Sequence, residues 1–461
     1  MLSIKFLDRE EELKFLRNLK NNFFVVVLGR RRIGKTRLLL EAFKNPAYIF
    51  IWPNKSLSWI IEKTCEELKI PSFRSFGDIL EYLFDRGEIV ILDEFQNFLH
   101  VDKSVFGEIQ KIIDGRKFKG KEYKLIVCGS SYSMLNKIFY DVASPLYGRK
   151  THEIRLDYLP LEALYKIGID IGEFVKFWSV FGGVPYYYEF IDKKLSAEEN
   201  IKTLLFSKQA VLREEGKAII SMEFGAESKT YNTILSAIAE GKTKLHEIAT
   251  LFENKVNLVI KYLDILRKEF NLVRRVTPVM SDPKRSKEGI YEIRDNFLKF
   301  WFSFIERNRD LIEQEREEEL VQLFENHFNS FVGRAFERFI AELIKSKMLF
   351  SKSNFTKIGR QWGKIPKAEK GKNTYEIDIV ALDEKHKKAL VAECKWKERV
   401  NAEKVAEELE EKVGYVKGLE DYKVEYAVFA KGFSKRVKEL NGRKVWCFGL
   451  GELAKVLKRK K

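Results

Sequence analysis

The sequence predicts an α/β protein with a parallel-sheet, phosphate-loop core at the front, a helical and then short-stranded middle, and a second α/β unit at the end. Three observations predict it. Apolar runs of strand length alternate with helical stretches over residues 1–154, the pattern of strands covered on both faces. A glycine-rich run of the form GxxxxGK(S/T), Gly29 to Thr36, falls between the first of those strands and a helix start. Two further apolar strands, Tyr375 to Asp383 and Lys388 to Trp396, follow a long, highly charged helical stretch.

The bulk numbers set the frame. A chain of 461 residues suggests about three domains. Hydrophobic residues make up 45%, ordinary for packed globular domains. No apolar run approaches the ~18–20 residues that cross a bilayer, and the N-terminus turns acidic by Asp8 and Glu10, too early for a signal peptide. The expectation is a cytoplasmic protein with no membrane partner. Cys65, Cys128, Cys394 and Cys447 are scattered, so reduced thiols are expected rather than a zinc site. The net charge of +16 (Lys+Arg 84, Asp+Glu 68) attracts polyanions, nucleic acid first and an anionic membrane surface second. The same balance also fits a mixed-sign surface with ion-pair networks suited to high temperature.

In the front segment the candidate strands are Phe23–Leu28, Ala47–Trp52, Glu88–Leu92 and Lys124–Gly129. The loop residues Gly29, Arg30, Arg31, Arg32, Ile33, Gly34, Lys35 and Thr36, with Arg37 after them, are placed to wrap phosphates. Main-chain N–H groups around Gly34 and the positive end of the following helix face the anion. Lys35 would reach the β- and γ-phosphates of ATP or ADP, and Thr36 would offer its hydroxyl to Mg2+. The strand Glu88–Leu92 ends in Asp93 and Glu94. Asp93 is expected to hold Mg2+, and Glu94 to orient or deprotonate an attacking water. The strand Lys124–Gly129 ends in Ser130 and Ser131, either of which can contact the γ-phosphate or serve only as a polar turn. Arg149, on the turn Ser144 to Arg149, is either a charge stabiliser for the transferring phosphoryl group or a plain surface arginine.

The motifs Phe6 to Glu10, the phosphate loop, Leu92 to Gln96, Gly129 to Ser131, Ser144 to Arg149 and Gly182 to Pro185 occur in that order. Together they resemble the archaeal ATPase family within the AAA-related signal-transducing ATPases with numerous domains. The resemblance covers roughly the first half of the chain. It implies that Asp8 and Arg9 help to seat the adenine, that Pro185 on a helical lid reports the nucleotide state, and that Arg149 is a finger acting on its own nucleotide or on that of a neighbouring subunit in a homo-oligomer. The basic run Arg30 to Arg32 departs from the usual loop and adds either phosphate contacts or solvated charge.

In the middle, Tyr231–Ala239, Leu245–Phe252 and Val256–Arg267 read as three short helices, and Leu272–Val276 with Gly289–Arg294 as two wing strands. This resembles a winged helix-turn-helix. A DNA-reading version would carry a basic or amide-rich face on the third helix, where Asn257, Lys261 and Arg267 qualify. A packing role against the lid is the other reading, placed slightly ahead.

At the C-terminal end, Glu393 and Lys395 share one face of their strand, because side chains alternate. Asp378 on the neighbouring strand can complete a small pocket. Two carboxylates bind Mg2+ or Mn2+ through hard oxygen ligands, and Lys395 can position a water or steady developing charge. The pattern resembles the PD-(D/E)xK nuclease superfamily. Gly333 to Ile340 looks like that superfamily's first helix, which implies Glu337 as a further metal carboxylate. The pieces Ile358 to Trp362 and Glu393 to Trp396 match the C-terminal domain that accompanies the archaeal ATPase family. No proline precedes Asp378, a departure from the superfamily's name.

The expected organisation is a P-loop ATPase core over 1–154, a helical lid over 155–227, a winged helix-turn-helix over 228–304, a helical connector over 305–330, and a restriction-endonuclease-like α/β domain over 331–461. The expected activity is Mg2+-dependent ATP binding and hydrolysis used as a switch, coupled to DNA binding or metal-dependent DNA cleavage. The alternative is a signalling or scaffold ATPase whose last domain binds nucleic acid or protein without catalysis.

Overall fold

A computed structural model describes residues 6–20, 22–369 and 373–458. Among these, two compact units result: residues 6–159 together with Val184–Glu189, and Pro160–Gly183 together with residues from 190 onward.

The first unit is built on five parallel strands, β1 (Phe23–Gly29), β2 (Ala47–Phe50), β3 (Val90–Asp93), β4 (Lys124–Gly129) and β5 (His152–Leu156), in the order β2-β3-β4-β1-β5. Parallel pairing requires crossovers that cover both faces, so every residue of β1 is buried. Alternation sends Phe24, Val26 and Leu28 into one apolar core and Phe23, Val25 and Val27 into the other. The carboxyl ends of β1, β3 and β4 therefore lie side by side, where an open α/β sheet binds its ligands. Gly29, Asp93 and Gly129 are the last residues of those strands.

The second unit packs helices against a six-stranded mixed sheet. The helix Ile171–Phe181 is capped by the Asp170 carboxylate, which accepts from the N–H groups of Gly172 and Glu173. It packs on the helices Asn296–Phe304 and Glu317–Lys345. The latter runs 29 residues without a break, from the charged stretch at Glu317 through Glu337. Trp301 is fully buried and donates its indole N–H to the Arg213 carbonyl at 2.6 Å. Gly216 lies against that ring so closely that a Cβ there would sit 2.1 Å from Trp301 Cδ2. Strands β6 (Val273–Val276) and β7 (Ile290–Ile293) form an antiparallel hairpin.

The large sheet contains β8 (Lys357–Lys364), β9 (Thr374–Asp383), β10 (Lys388–Lys395), β12 (Lys423–Ala430), β14 (Glu439–Leu440) and β15 (Arg443–Phe448). Its order is β14-β15-β12-β10-β9-β8. A short parallel pair, β11 (Val400–Asn401) and β13 (Phe433–Lys435), stands beside it. β8, β9 and β10 are antiparallel neighbours, whereas β10, β12 and β15 run parallel. The helix Ala402–Gly414 makes the crossover between β10 and β12 and covers the sheet with Val405, Ala406 and Leu409. The charged helix and the Asp378 and Glu393 strands thus meet in one unit, with Glu337 on the helix and both strands packed against it.

Candidate functional site

The phosphate loop leaves β1 at Gly29 and enters the helix Lys35–Ala42 through Gly34, whose φ of 93° suits a residue without a Cβ. Lys35 is buried and donates its ammonium to the carbonyls of Gly29 at 2.8 Å and Arg30 at 3.1 Å, so the side chain is folded onto its own loop. Thr36 Oγ1 donates to Asp93 Oδ2 at 2.6 Å, joining the helix start to the end of β3. Asp93 also accepts from Tyr48 Oη at 2.8 Å, Cys128 Sγ at 2.9 Å and the Glu94 N–H at 2.8 Å. Burial first, and the Asp93 charge second, push both the Tyr48 hydroxyl and the Cys128 thiol up, so each stays a proton donor. Tyr48 and Cys128 carry no sequence signal for this role. They reach Asp93 because β2, β3 and β4 are neighbours in the sheet.

Glu94 follows in the left-handed region at φ 54°. Strained backbone at a strand end beside a cavity is where functional carboxylates are held. Two groups fix its side chain. Gln96 Nε2 donates to Glu94 Oε2, and Ser130 Oγ donates to the same oxygen at 3.0 Å. Gln96 entered the sequence analysis only as the end of the motif Leu92 to Gln96, with no role of its own.

A cavity of about 420 Å³ opens over these groups. Arg31, Arg32, Ile33, Gly34, Lys35, Thr36, Arg37 and Glu94 line it, with Phe6, Leu7, Arg9, Pro185 and Tyr186 on other sides. Arg9 is buried at φ 74° and is tied by its guanidinium to the Asp157 carbonyl and to Glu12. Arg32 stacks 3.9 Å over the Tyr186 ring, and Arg37 pairs with Glu189 at 3.2 Å. The helix Pro185–Tyr188 thus brings aromatic and acidic side chains to the loop arginines.

Other expected positions lie off this cavity. Gly29, Arg30, Asp8, Asp93 and Ser130 do not line it, although Gly29 and Arg30 hold Lys35, Asp93 accepts from Thr36 and Ser130 holds Glu94. Burial, and then a hydrogen bond with Glu10, raise Asp8 above the usual carboxylate range. Arg149 is also off the cavity, where its Nε and Nη2 donate to Asp114 at 3.1 and 2.9 Å.

In the second unit, the register of β9 against β10 sets Ala392 opposite Ile379 and brings Glu393 alongside Asp378. Asp378 Oδ2 accepts from the Cys394 N–H at 2.8 Å. Glu393 Oε1 receives Lys395 at 2.8 Å and Lys412, from the crossover helix, at 3.1 Å. Its buried Oε2 has no hydrogen-bond partner among the described residues. Burial, and then the Glu393 charge, push Asp378 up to about 6. Burial, and then the Asp378 charge, push Glu337 up to about 8. The three carboxylates therefore feel one another. Among the described residues, however, no set of three His, Cys, Asp or Glu side chains converges tightly enough to hold a metal ion. Glu393 is drawn instead toward Lys395 and Lys412. The register between β8 and β9 also shifts here, so that Asp378 and Ile379 lie opposite the single Arg360, a bulge of the kind that re-aims side chains.

On the middle helix Val256–Lys268, Arg267 and Lys268 are both paired to Asp264 at 2.8 Å. Val256, Leu258 and Ile260 are more than a third exposed beside Asn257 and Lys261. That face is as apolar as it is polar, which is weak equipment for reading base edges. No described helix is long and apolar enough to cross a membrane.

Comparison with known proteins gives the following likenesses. Residues 21–163 match the family described as an AAA domain, and residues 301–406 match one described as archaea bacterial proteins of unknown function. The chain is 34% identical over 446 residues to the uncharacterized protein MJECL04 of Methanocaldococcus jannaschii, covering 92% of this chain and 95% of that one. Among solved structures, it resembles the Walker-type ATPase paby2304 of Pyrococcus abyssi at 19% identity and TM-score 0.45, over 64% of this chain and 96% of that one. It also resembles the Aeropyrum pernix ORC2 protein at 15% identity and TM-score 0.39, over 69% and 95%. Both scores fall below 0.5, and the fold stands on the geometry above.

Proposed function

Since this chain belongs to the same family as the Methanocaldococcus jannaschii protein MJECL04 and carries an AAA domain with the ATP-binding, ATPase character of such domains, we propose that it is a Mg2+-dependent ATP-hydrolysing switch. The observation that carries this reading is the hydrogen bond to Asp93 from Thr36, which lines a cavity together with the phosphate loop and Glu94. A threonine hydroxyl and a carboxylate oxygen 2.6 Å apart are hard donors suited to Mg2+. Magnesium, when bound, neutralises charge on the β- and γ-phosphates.

The remaining work falls to the chain's own groups. The N–H groups from Gly34 into the helix cradle phosphate oxygens. Lys35 exchanges the carbonyls of Gly29 and Arg30 for phosphate, a swap between acceptors that leaves its charge satisfied throughout. Glu94, held by Gln96 and Ser130, aligns the attacking water. Arg149 stands away from this cavity in its own chain, which favours action in trans within a homo-oligomer. The loop arginines stack and pair with Tyr186 and Glu189, so a nucleotide that draws Arg32 or Arg37 toward its phosphates loosens the Pro185–Tyr188 segment. That segment is continuous at both ends with the second unit, and it is the proposed route by which nucleotide state is passed on.

The test is ATP binding and hydrolysis by purified protein with and without Mg2+. Lys35→Ala should abolish binding. Glu94→Gln should bind ATP and hydrolyse it at least a hundredfold more slowly. Wild-type protein that takes up no ATP with Mg2+ present would overturn the reading.

A second reading, metal-dependent DNA cleavage by the C-terminal α/β domain, is favoured by one observation. Asp378, Glu393 and Lys395 share one sheet face, and Glu393 carries a buried oxygen without a partner. Asp378 and Glu393 would hold Mg2+ or Mn2+, which would polarise the scissile phosphate, and Lys395 would release Glu393 and turn to the developing charge. If so, Asp378→Ala and Lys395→Ala each abolish cleavage. If neither changes any nucleic-acid activity, the domain is a binding module and the protein a signalling or scaffold ATPase.

A further inference from the structure

A cavity of about 570 Å³ in the second unit adjoins the C-terminal carboxylates: Glu337 and Asp378 line it, whereas Glu393 and Lys395 do not. Converging on it are the end of the helix Ser228–Ala239, the β6–β7 hairpin, the helix Asn296–Phe304, the short 3-10 helix Glu306–Asn308, the helix Glu317–Lys345, and strands β8 and β9. They bring Arg274, Lys299, Arg307, Arg334, Arg338 and Arg360 into its lining. The carboxylates there do not balance them. Glu292 is shared by Arg274 and Arg360, each at 2.8 Å, and Glu376 is bound to Arg360. Glu240 is at the exposed rim. That leaves Glu337 and Asp378 facing Lys299, Arg307, Arg334 and Arg338. Two donors of Arg338, Nε and Nη2, and Nε of Arg360 are buried with no hydrogen-bond partner among the described residues. Buried guanidinium N–H groups without acceptors are costly, and they match the geometry of a tetrahedral oxyanion, which a guanidinium grips through two donors.

We propose that this cavity is a phosphate-binding site that seats a backbone or terminal phosphate of a nucleic-acid strand beside Asp378. Arg338 and Arg360 would grip the phosphate from below, while the exposed Arg307 and Arg334 would follow the strand out. The inference rests on the second reading above for the strand's identity alone. It requires no cleavage, and binding is measured without it.

The experiment uses full-length protein carrying Lys35→Ala, which disables the phosphate loop, in EDTA, which prevents metal-dependent cleavage. Binding of a fluorescent single-stranded oligonucleotide is followed by anisotropy across a salt series, with pyrophosphate as competitor. Arg307→Gln/Arg334→Gln, two exposed changes, should weaken binding roughly tenfold or more and flatten the log K against log salt slope by about 1.4, two contacts at ~0.7 each. Arg338→Gln, checked by melting for an intact fold, should weaken binding further and abolish competition by pyrophosphate. Pyrophosphate binding that needs Arg338, with no strand binding, keeps the phosphate site and assigns it to a small phosphate compound. Binding of neither probe, or strand binding with unchanged affinity and slope in the Arg307/Arg334 variant, overturns the proposal.

Discussion

Gly129→Ala should slow ATP hydrolysis without touching a group that meets the nucleotide. Gly129 ends β4, and a Cβ built there falls 2.0 Å from Gln96 Oε1 and 3.0 Å from Leu135 Cδ1. Carbon and oxygen pack no closer than about 3.3 Å. The amide must therefore retreat by more than about 1 Å. Gln96 is only 2% exposed, so it has no open space to enter. The retreat breaks the bond from Gln96 Nε2 to Glu94 and leaves that carboxylate one tether, from Ser130. A hydrogen bond to a charged group contributes about 1.5–3 kcal/mol. If that is the cost of holding Glu94 in line, kcat falls roughly ten- to hundredfold. KM for ATP should change little, because the phosphate contacts proposed above are those of Lys35, Thr36 and the loop backbone. Steady-state hydrolysis and calorimetric ATP binding separate the two quantities. Gln96→Ala removes the same tether and supplies the missing space, so it should reproduce the loss. The double variant should then be no slower than either single one. A Gly129→Ala enzyme within twofold of wild-type kcat, or losses that multiply in the double variant, would refute the argument that Gln96 positions Glu94.

Three other expectations follow from the same kind of reasoning. Gly216→Ala drives a methyl into the Trp301 ring and should destabilise the second unit by about 1–3 kcal/mol, less the ~1 kcal/mol that alanine gains in a helix; calorimetric melting reads it, and Trp301→Leu in the same chain should relieve it. Glu337 has its pKa raised from 4.5 to about 8, so the native state holds a proton that the unfolded chain releases between those values, and stability falls as pH rises across that window. Glu337→Gln should therefore raise the melting temperature at pH 9 and leave it unchanged at pH 4, measured in EDTA; a gain at acid pH instead would contradict the burial argument. Arg149→Ala should lower hydrolysis most at high protein concentration if the arginine serves a neighbouring copy, whereas a loss independent of concentration would place its action within one chain.

What the sequence discloses here follows the reach of each interaction along the chain. The phosphate loop is legible because eight consecutive residues build it, and the strands on either side are continuous apolar runs. Glu393 and Lys395 are legible as a pair because strand alternation is local. Asp378 is nearly so, since a short turn between β9 and β10 fixes its register. Two supports of Asp93 are not legible: Tyr48 and Cys128 lie 45 and 35 positions away, and only the strand order β2-β3-β4 brings them together. Lys412 was hidden for the same reason, since it reaches Glu393 from the helix after the next connection. The two strands expected over Leu272–Val276 and Gly289–Arg294 run over Val273–Val276 and Ile290–Ile293, trimmed at their ends where pairing stops.

Charge shows the limit most clearly. A net excess of +16 says that polyanions are attracted, but not where. The six cations of the second-unit cavity come from positions 274 to 360, with no two closer than four residues, so no charge run announces them, and the quoted motifs that hold Arg334, Arg338 and Arg360 gave those arginines no role. Their convergence needs the bulge that sets Asp378 and Ile379 against Arg360, and the unbroken helix that carries Arg334 and Arg338 on one face, one turn apart. Burial then raises the stakes. Lys299 is driven down to about 7, first by desolvation and then by its neighbour Arg338. Glu292, which burial alone would raise, is held at about 2 by Arg274, Lys299 and Arg360. A fold that crowds cations so closely carries a standing electrostatic penalty, and an arriving oxyanion relieves it. Phosphate should therefore stabilise the second unit against heat in the Lys35→Ala protein, and Arg338→Gln should remove that gain while raising the melting temperature of the phosphate-free form.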